Sequence, residues 1–210
     1  MESYKTDFIK FILKKKILSV GSFKLKSGIY SKYFFNFGLF NKGKDLCFLG
    51  KIYAKAIIDL KIKFNLIFGP AYKGIPIILS TAIELAKKYK LNIGYCFNRK
   101  EKKKHGEQGI LVGDKIKGNV LILDDVITTG TSIKESIKII NKYKYAKVNY
   151  ILVAIDRKEN IFDKKSFRYN NISSYKKHLS IFSIITISDI ISYLRKNKKQ
   201  YSDYWNVIID

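Results

Sequence analysis

From residue 44 onward, segments with helical spacing alternate with short, continuously apolar runs, and few folds accept that order. The pattern predicts a helix over 44–60, strand LIFGP, a helix over 75–89, strand IGYCFN and a loop. Strand VLILDD, a helix over 132–143, strand VNYILVAID and a late strand LSIFSIITI complete it. Strands apolar along their whole length and joined through helices predict a parallel sheet covered on both faces, an α/β architecture. Ligands of such sheets sit outside the carboxyl ends of the strands, so the residues just after each apolar run matter most.

The first 40 residues follow another rule. Tyr4, Phe8, Phe11 and Ile12 share one helical face behind Ser3, a candidate cap, and predict an amphipathic helix. FKLKSG and YFFNFG are short, aromatic and punctuated by glycine, which predicts a hairpin or small lobe outside the main sheet. The polar, irregular stretch 158–177 reads as a surface excursion rather than a linker, and no internal repeat is visible. With 210 residues, 47% of them hydrophobic, one domain spanning 1–210 is expected.

The net charge of +24 raises nucleic acid or an anionic membrane as partners. Yet only Arg99, Arg157, Arg168 and Arg195 are arginines among the 41 basic residues, and no stretch collects the lysines on one face. That is the bias an A+T-rich genome gives to solvated positions, so neither partner is expected. An arginine in such a chain then marks a place where a planar fork is needed. Cys47 and Cys96 stand in apolar surroundings without a CxxC, and MESYKTDFIKFILKKK has an early acid and no uninterrupted apolar core, so reduced, buried thiols in the cytoplasm are expected. The most apolar tail, LSIFSIITISDIISYL, is broken by serines and Asp189, and no membrane span is expected.

VLILDDVITTGTS delivers Asp124 and Asp125 onto a loop of Thr128, Thr129, Gly130, Thr131 and Ser132. Gly130 and its small neighbours let backbone amides converge, and the following helix presents its N-terminal end, so the loop suits a phosphate dianion. It is not GxxxxGK[ST], which excludes the triphosphate-binding loop. The acids suit vicinal sugar hydroxyls or Mg²⁺, and a ribose 5-phosphate satisfies both ends of the string at once. For two acids at a strand end taken alone, a helix-capping turn is the competing explanation.

The whole string resembles the phosphoribosyl diphosphate signature of the type I phosphoribosyltransferases. FKLKSGIYSKYFFNFGLF, FGPAYKGIPI and YCFNRKEKKKHGEQG resemble the bacterial orotate phosphoribosyltransferases, and the likeness covers nearly the whole chain. It implies the type I phosphoribosyltransferase fold, an α/β parallel sheet with helices on both faces and a small hood lobe built mainly from 1–40 with C-terminal contributions. It further implies Mg²⁺-dependent transfer of phosphoribose from phosphoribosyl diphosphate to orotate, yielding orotidine 5-phosphate and pyrophosphate on the route to UMP.

By the same resemblance, Lys26, Tyr72, Lys73, Arg99, Lys100, Lys103 and His105 contact the diphosphate, with Arg99, Lys103 and His105 serving catalysis. Asp124, Asp125, Val126, Ile127, Thr128, Thr129, Gly130, Thr131 and Ser132 take the ribose phosphate. Phe34, Phe35, Thr128 and Arg157 take orotate. The metal is implied to be held mainly by the substrate's own diphosphate and ribose hydroxyls, with no dedicated protein ligand. Residues 99–109 contain no apolar side chain and read as a mobile lid, which the family closes over the neighbouring subunit's site in a homodimer.

These assignments make chemical sense. Displacement at the anomeric carbon builds positive charge on the ribose and negative charge on the leaving pyrophosphate, so cations belong at the diphosphate. Gly69 and Gly74 permit close backbone approach, and Pro76 suits a helix's first turn. Arg157 offers a fork to a carboxylate or to adjacent ring acceptors. Orotate carries an ionisable ring nitrogen, so neither aspartate is assigned as general base. Neither His105 nor His178 has a partner at metal-ligand spacing. A purine phosphoribosyltransferase would share VLILDDVITTGTS but not FFNFG, FGPAYKGIPI and Arg157 together. An RNA-binding regulator on this fold could dispense with Arg99, Lys103 and His105.

Overall fold

The computed structural model describes residues 2–24, 30–103, 109–127, 130–157 and 179–209. Helix α1 (Ser3–Lys14) leads into β1 (Leu18–Lys24) and β2 (Tyr30–Phe35), an antiparallel pair apart from the main sheet. Then come α2 (Gly43–Asp59), β3 (Leu66–Gly69), α3 (Gly74–Tyr89), β4 (Gly94–Lys103), β5 (Gly109–Gly113), β6 (Gly118–Ile127), α4 (Thr131–Ile140) and β7 (Ala146–Asp156). β8 (Ser180–Thr186), α5 (Ile187–Lys196) and α6 (Ser202–Ile209) end the chain.

The six-stranded sheet runs β5-β4-β3-β6-β7-β8, parallel throughout except for β5, which pairs antiparallel with β4. The chain builds β3, steps outward to β4, then returns to the other side of β3 at β6. The order therefore reverses between β3 and β6, and a crevice opens there at the carboxyl ends. β3 is short: its pairing with β6 stops at Phe68 opposite Ile122, whereas β6 runs on to Ile127. Asp124 and Asp125 consequently stand beyond the end of β3, on the rim of the crevice.

Strand alternation sorts the core into two faces. Leu121, Leu123, Leu152, Ala154 and Ile67 join α1, α2, α3 and α5 on one side. Val120, Ile122, Ile151, Val153, Leu66 and Phe68 meet Ile133, Ile137 and Ile140 of α4 on the other. The expected α/β sheet with helices on both faces is what forms. Lys15 Nζ holds the lobe to the core by donating to the Asp45 carboxylate and, at 3.2 Å, to the Leu39 carbonyl. The C-terminal α6 lies against β1 and β2.

Several boundaries differ from expectation. Glu2, not Ser3, occupies the N-cap of α1, and it makes no side-chain cap. The first strand of the lobe starts at Leu18, ahead of FKLKSG. IGYCFN does not end at Asn98 but continues through the charged residues to Lys103, where pairing with β5 takes over from apolar burial. The charged run therefore begins inside a strand, and 99–103 and 109 of the expected lid are strand residues. Expectations for 25–29, 104–108, 128–129 and 158–178 lie outside the described residues.

Candidate functional site

The crevice between β3 and β6 is bounded by two turns. After β3, residues 70–73 swing directly into α3, and Gly69 and Gly74 touch so closely that a Cβ on Gly69 would stand 2.5 Å from the Gly74 carbonyl oxygen. Only glycine fits there. The Ala71–Tyr72 peptide is cis, and Asn98, midway along the neighbouring β4, accepts a hydrogen bond from the Ala71 amide at 3.1 Å. The turn is thus tied to the sheet on its β4 side. Tyr72 is 70% exposed, and an apolar cleft lined by Phe37, Phe40, Leu46 and Pro76 lies beside it.

After β6 comes the acid pair. Both aspartates are buried, yet each carboxylate has specific partners. Asp124 accepts from the Ser132 hydroxyl at 2.9 Å and from the Asp125 amide at 3.0 Å, while Asp125 accepts from the Val126 amide at 2.8 Å. Burial first, and the neighbouring Asp125 charge second, push the Asp124 carboxyl well above the usual carboxylate range. From beneath, the fully buried Tyr53 of α2 donates its hydroxyl to the Asp124 carbonyl at 2.6 Å. Across the crevice, Lys73 Nζ reaches Asp125 Oδ2 at 3.0 Å.

Helix α4 starts immediately beyond this loop. Its N-cap is Gly130 at φ +76°, a left-handed conformation that a side chain would strain, and the glycine itself has no side chain with which to cap the first turn. Amides at such a helix start suit an anion. Gly130, Thr131 and Ser132 therefore sit where the sequence put them, at a helix start beside the acids. Thr128 and Thr129 lie outside the described residues.

One strand over, Ile127 pairs with Asp156, so Arg157 emerges level with the carboxyl end of β6. It is 4% exposed, and its guanidinium meets the hood. Nη2 donates to Ser31 Oγ at 2.7 Å and to the Tyr33 carbonyl at 3.3 Å, with the Tyr33 ring centroid 4.7 Å from Cζ. Phe35 is 3% exposed within the core, so it can offer a ligand only its backbone. Phe34 is partly exposed and its ring lies 5.7 Å from that of Phe23.

The lid cations are less gathered. Arg99 Nη1 donates to the Gly109 and Leu111 carbonyls of β5 at 3.3 and 3.4 Å, and Lys100 is exposed. The side chains of Lys26, Lys103 and His105 lie outside the described residues. Sequence reasoning did not single out Tyr53, Asn98, Ser31 or Tyr33; each acts through a partner far away in the chain and has no local motif.

No cluster of three or more His, Cys, Asp or Glu side chains able to hold a metal occurs among the described residues. The two acids and their occupied oxygens fit a cation that arrives with its own substrate oxygens better than one caged by protein.

Comparison with known proteins shows which family carries this fold. Residues 45–185 match the phosphoribosyl transferase domain. The orotate phosphoribosyltransferase of Buchnera aphidicola subsp. Baizongia pistaciae is 50% identical over 198 residues, covering 94% of this chain and 95% of the relative. That of Shewanella oneidensis is 47% identical over 201 residues, covering 95% and 91%. The crystal structure of the Francisella tularensis orotate phosphoribosyltransferase superposes with a TM-score of 0.74 at 39% identity, over 90% of each chain.

Proposed function

The chain belongs to the phosphoribosyl transferase family, and from that membership we propose how its residues divide the work of an orotate phosphoribosyltransferase. It is a pentosyltransferase: phosphoribosyl diphosphate and orotate give orotidine 5-phosphate and pyrophosphate in pyrimidine synthesis. The observation that carries the assignment of roles is the convergence, on one rim, of the turn after β3, the acid pair after β6 and the arginine after β7.

The ribose 5-phosphate lies against the amides at the start of α4, with the Thr128–Thr129 backbone and the Thr131 and Ser132 hydroxyls around it. Asp124 and Asp125 accept hydrogen bonds from the ribose 2- and 3-hydroxyls, which orients the anomeric carbon toward orotate. Lys73, Tyr72 and the Ala71 turn receive the diphosphate. Lys73 starts on Asp125, so the incoming diphosphate competes with a carboxylate for the same ammonium. Arg157 faces the orotate carboxylate with its planar fork, and the backbone of Phe34 and Phe35 closes the other side. Lys26 reaches the reactants from the hood.

In the displacement, the bond from the anomeric carbon to the pyrophosphate oxygen breaks as the bond to the orotate ring nitrogen forms. Positive charge grows on the ribose near the two aspartates, and negative charge grows on pyrophosphate near Lys73, Lys100, Arg99, Lys103 and His105. Preorganised charges of this kind stabilise the transition state more than the ground state. Mg²⁺ would be held mainly by the substrate's own diphosphate and ribose oxygens beside Asp124 and Asp125, and there it would supply partial neutralisation of the leaving-group charge.

The β4–β5 hairpin lies at the sheet's edge and carries Arg99, a placement that supports a lid over 99–109 reaching into a neighbouring copy's site in a homodimer. A single domain with a hood from 1–40 fits the seating of α6 on β1 and β2. Cys96 is buried as expected but Cys47, on the outer face of α2, is exposed; both thiols are free, and no described helix is long and apolar enough to cross a membrane, which suits the cytoplasm. The test is direct: protein, Mg²⁺, orotate and phosphoribosyl diphosphate are mixed and loss of orotate absorbance is followed. Turnover is expected; no turnover together with tight, salt-dependent RNA binding would favour a regulator instead.

A further inference from the structure

Arg157 is the last residue of its strand's run toward the crevice, yet what holds its guanidinium belongs to a different part of the fold. Strand β2 alternates so that Ser31, Tyr33 and Phe35 turn inward while Tyr30, Lys32 and Phe34 turn outward. The inward face supplies a closed set of bonds. Ser31 Oγ accepts from Arg157 Nη2 at 2.7 Å and donates to the Tyr33 carbonyl at 2.9 Å; that carbonyl also accepts from the same Nη2 at 3.3 Å. The Tyr33 amide donates to Ser31 Oγ at 3.3 Å, and the Tyr33 ring stands 4.7 Å from the guanidinium carbon. One nitrogen of the fork is pinned and its plane is set by a ring, which leaves a long, flexible side chain little freedom.

We propose that Ser31 and Tyr33 are positioning residues that aim the Arg157 fork, so that preference for a carboxylated pyrimidine is set from the hood strand β2. This rests on the reading that Arg157 meets the orotate carboxylate. A buried guanidinium aimed at a carboxylate rejects a ring that lacks one, because the fork is then left without its partner. The rejection is only as sharp as the aim. Loss of the Ser31 hydroxyl removes the shorter of the two hood bonds of Nη2, leaving the 3.3 Å bond to the Tyr33 carbonyl, and loosens the aim of the fork, so orotate loses affinity while a pyrimidine without the carboxylate, which does not use the fork, loses little. The diphosphate site, on the far side of β6, is untouched.

The experiment compares wild type with Ser31→Ala, Ser31→Thr and Tyr33→Leu in steady-state turnover, with uracil as competitive inhibitor. Ser31→Ala is expected to raise KM for orotate about tenfold, the size of one hydrogen bond to a charged group. KM for phosphoribosyl diphosphate and the uracil inhibition constant stay unchanged, and Ser31→Thr, which keeps the hydroxyl, restores most of the loss. Tyr33→Leu keeps the carbonyl but removes the ring, and shows the same orotate-selective loss. An orotate KM unchanged in both Ser31→Ala and Tyr33→Leu, or equal increases for orotate, uracil and phosphoribosyl diphosphate, overturns the proposal. A wild-type protein that consumes no orotate would instead overturn the functional reading beneath it.

Discussion

Lys73 Nζ lies 3.0 Å from Asp125 Oδ2, joining the turn after β3 to the acid pair after β6 across the reversal in strand order. The pair helps explain how two acids can stand side by side in the core: their charge is shared internally with a lysine, two amides and a hydroxyl, the groups that the proposed sugar phosphate would use in turn.

Replacing that lysine separates its two roles. The Lys73 side chain is largely exposed, so Lys73→Gln should leave the melting temperature nearly unchanged, as expected for an exposed ion pair. Its kcat/KM for phosphoribosyl diphosphate should fall about 10²-fold, the usual loss for one donor to developing negative charge. Steady-state kinetics beside thermal melts check both; wild-type kinetics would remove Lys73 from the diphosphate site.

Asp124 predicts a trade of stability against activity. Its native carboxyl is raised by burial and then by Asp125, so the native protein binds a proton more tightly than the unfolded chain does. Stability from this group is therefore full below the ordinary carboxylate range and is lost as pH rises toward the raised native value. Asp124→Asn, which can keep the bonds to Ser132 and the Asp125 amide, should melt a few degrees higher than wild type at neutral pH. The gap should close as pH falls to 4 or below, about the ordinary carboxylate pKa. Affinity for phosphoribosyl diphosphate should drop in the same variant. A lower melting temperature at neutral pH would contradict the assignment of burial as the dominant cost.

Arg157→Lys keeps the charge but not the fork. The KM for orotate should rise about tenfold or more while KM for phosphoribosyl diphosphate moves by less than about twofold. The reverse pattern in steady-state kinetics would move Arg157 to the other substrate.

Lys103→Ala should mainly lower turnover, by about tenfold or more, because leaving-group charge is greatest in the transition state. Single-turnover rates measured at saturating substrates decide it, and an unchanged rate would take Lys103 out of the catalytic lid.

What was legible in the sequence was local. Asp124, Asp125, Gly130 and Ser132 fall within one short string, and the glycines at 69 and 74 bracket one turn, so composition and spacing sufficed. Ser31 and Arg157 are 126 positions apart, and Tyr53 and Asp124 are 71 apart; only the packed hood and sheet bring them together. β5 was hidden because GILVG is short and follows a charged run; it is held by pairing with β4, and none of its residues is buried. Helix α5 had a signal that the apolar run LSIFSIITI masked. Thr186 and Asp189 form a reciprocal capping box that stops β8 and starts the helix at once.

The most direct measurement is a crystal structure of the protein soaked with orotidine 5-phosphate. The account predicts the phosphate on the amides of 128–132, the ribose hydroxyls on Asp124 and Asp125, and the pyrimidine carboxylate on Arg157. Product bound elsewhere, with the loop after β6 closed by its own side chains, would contradict it.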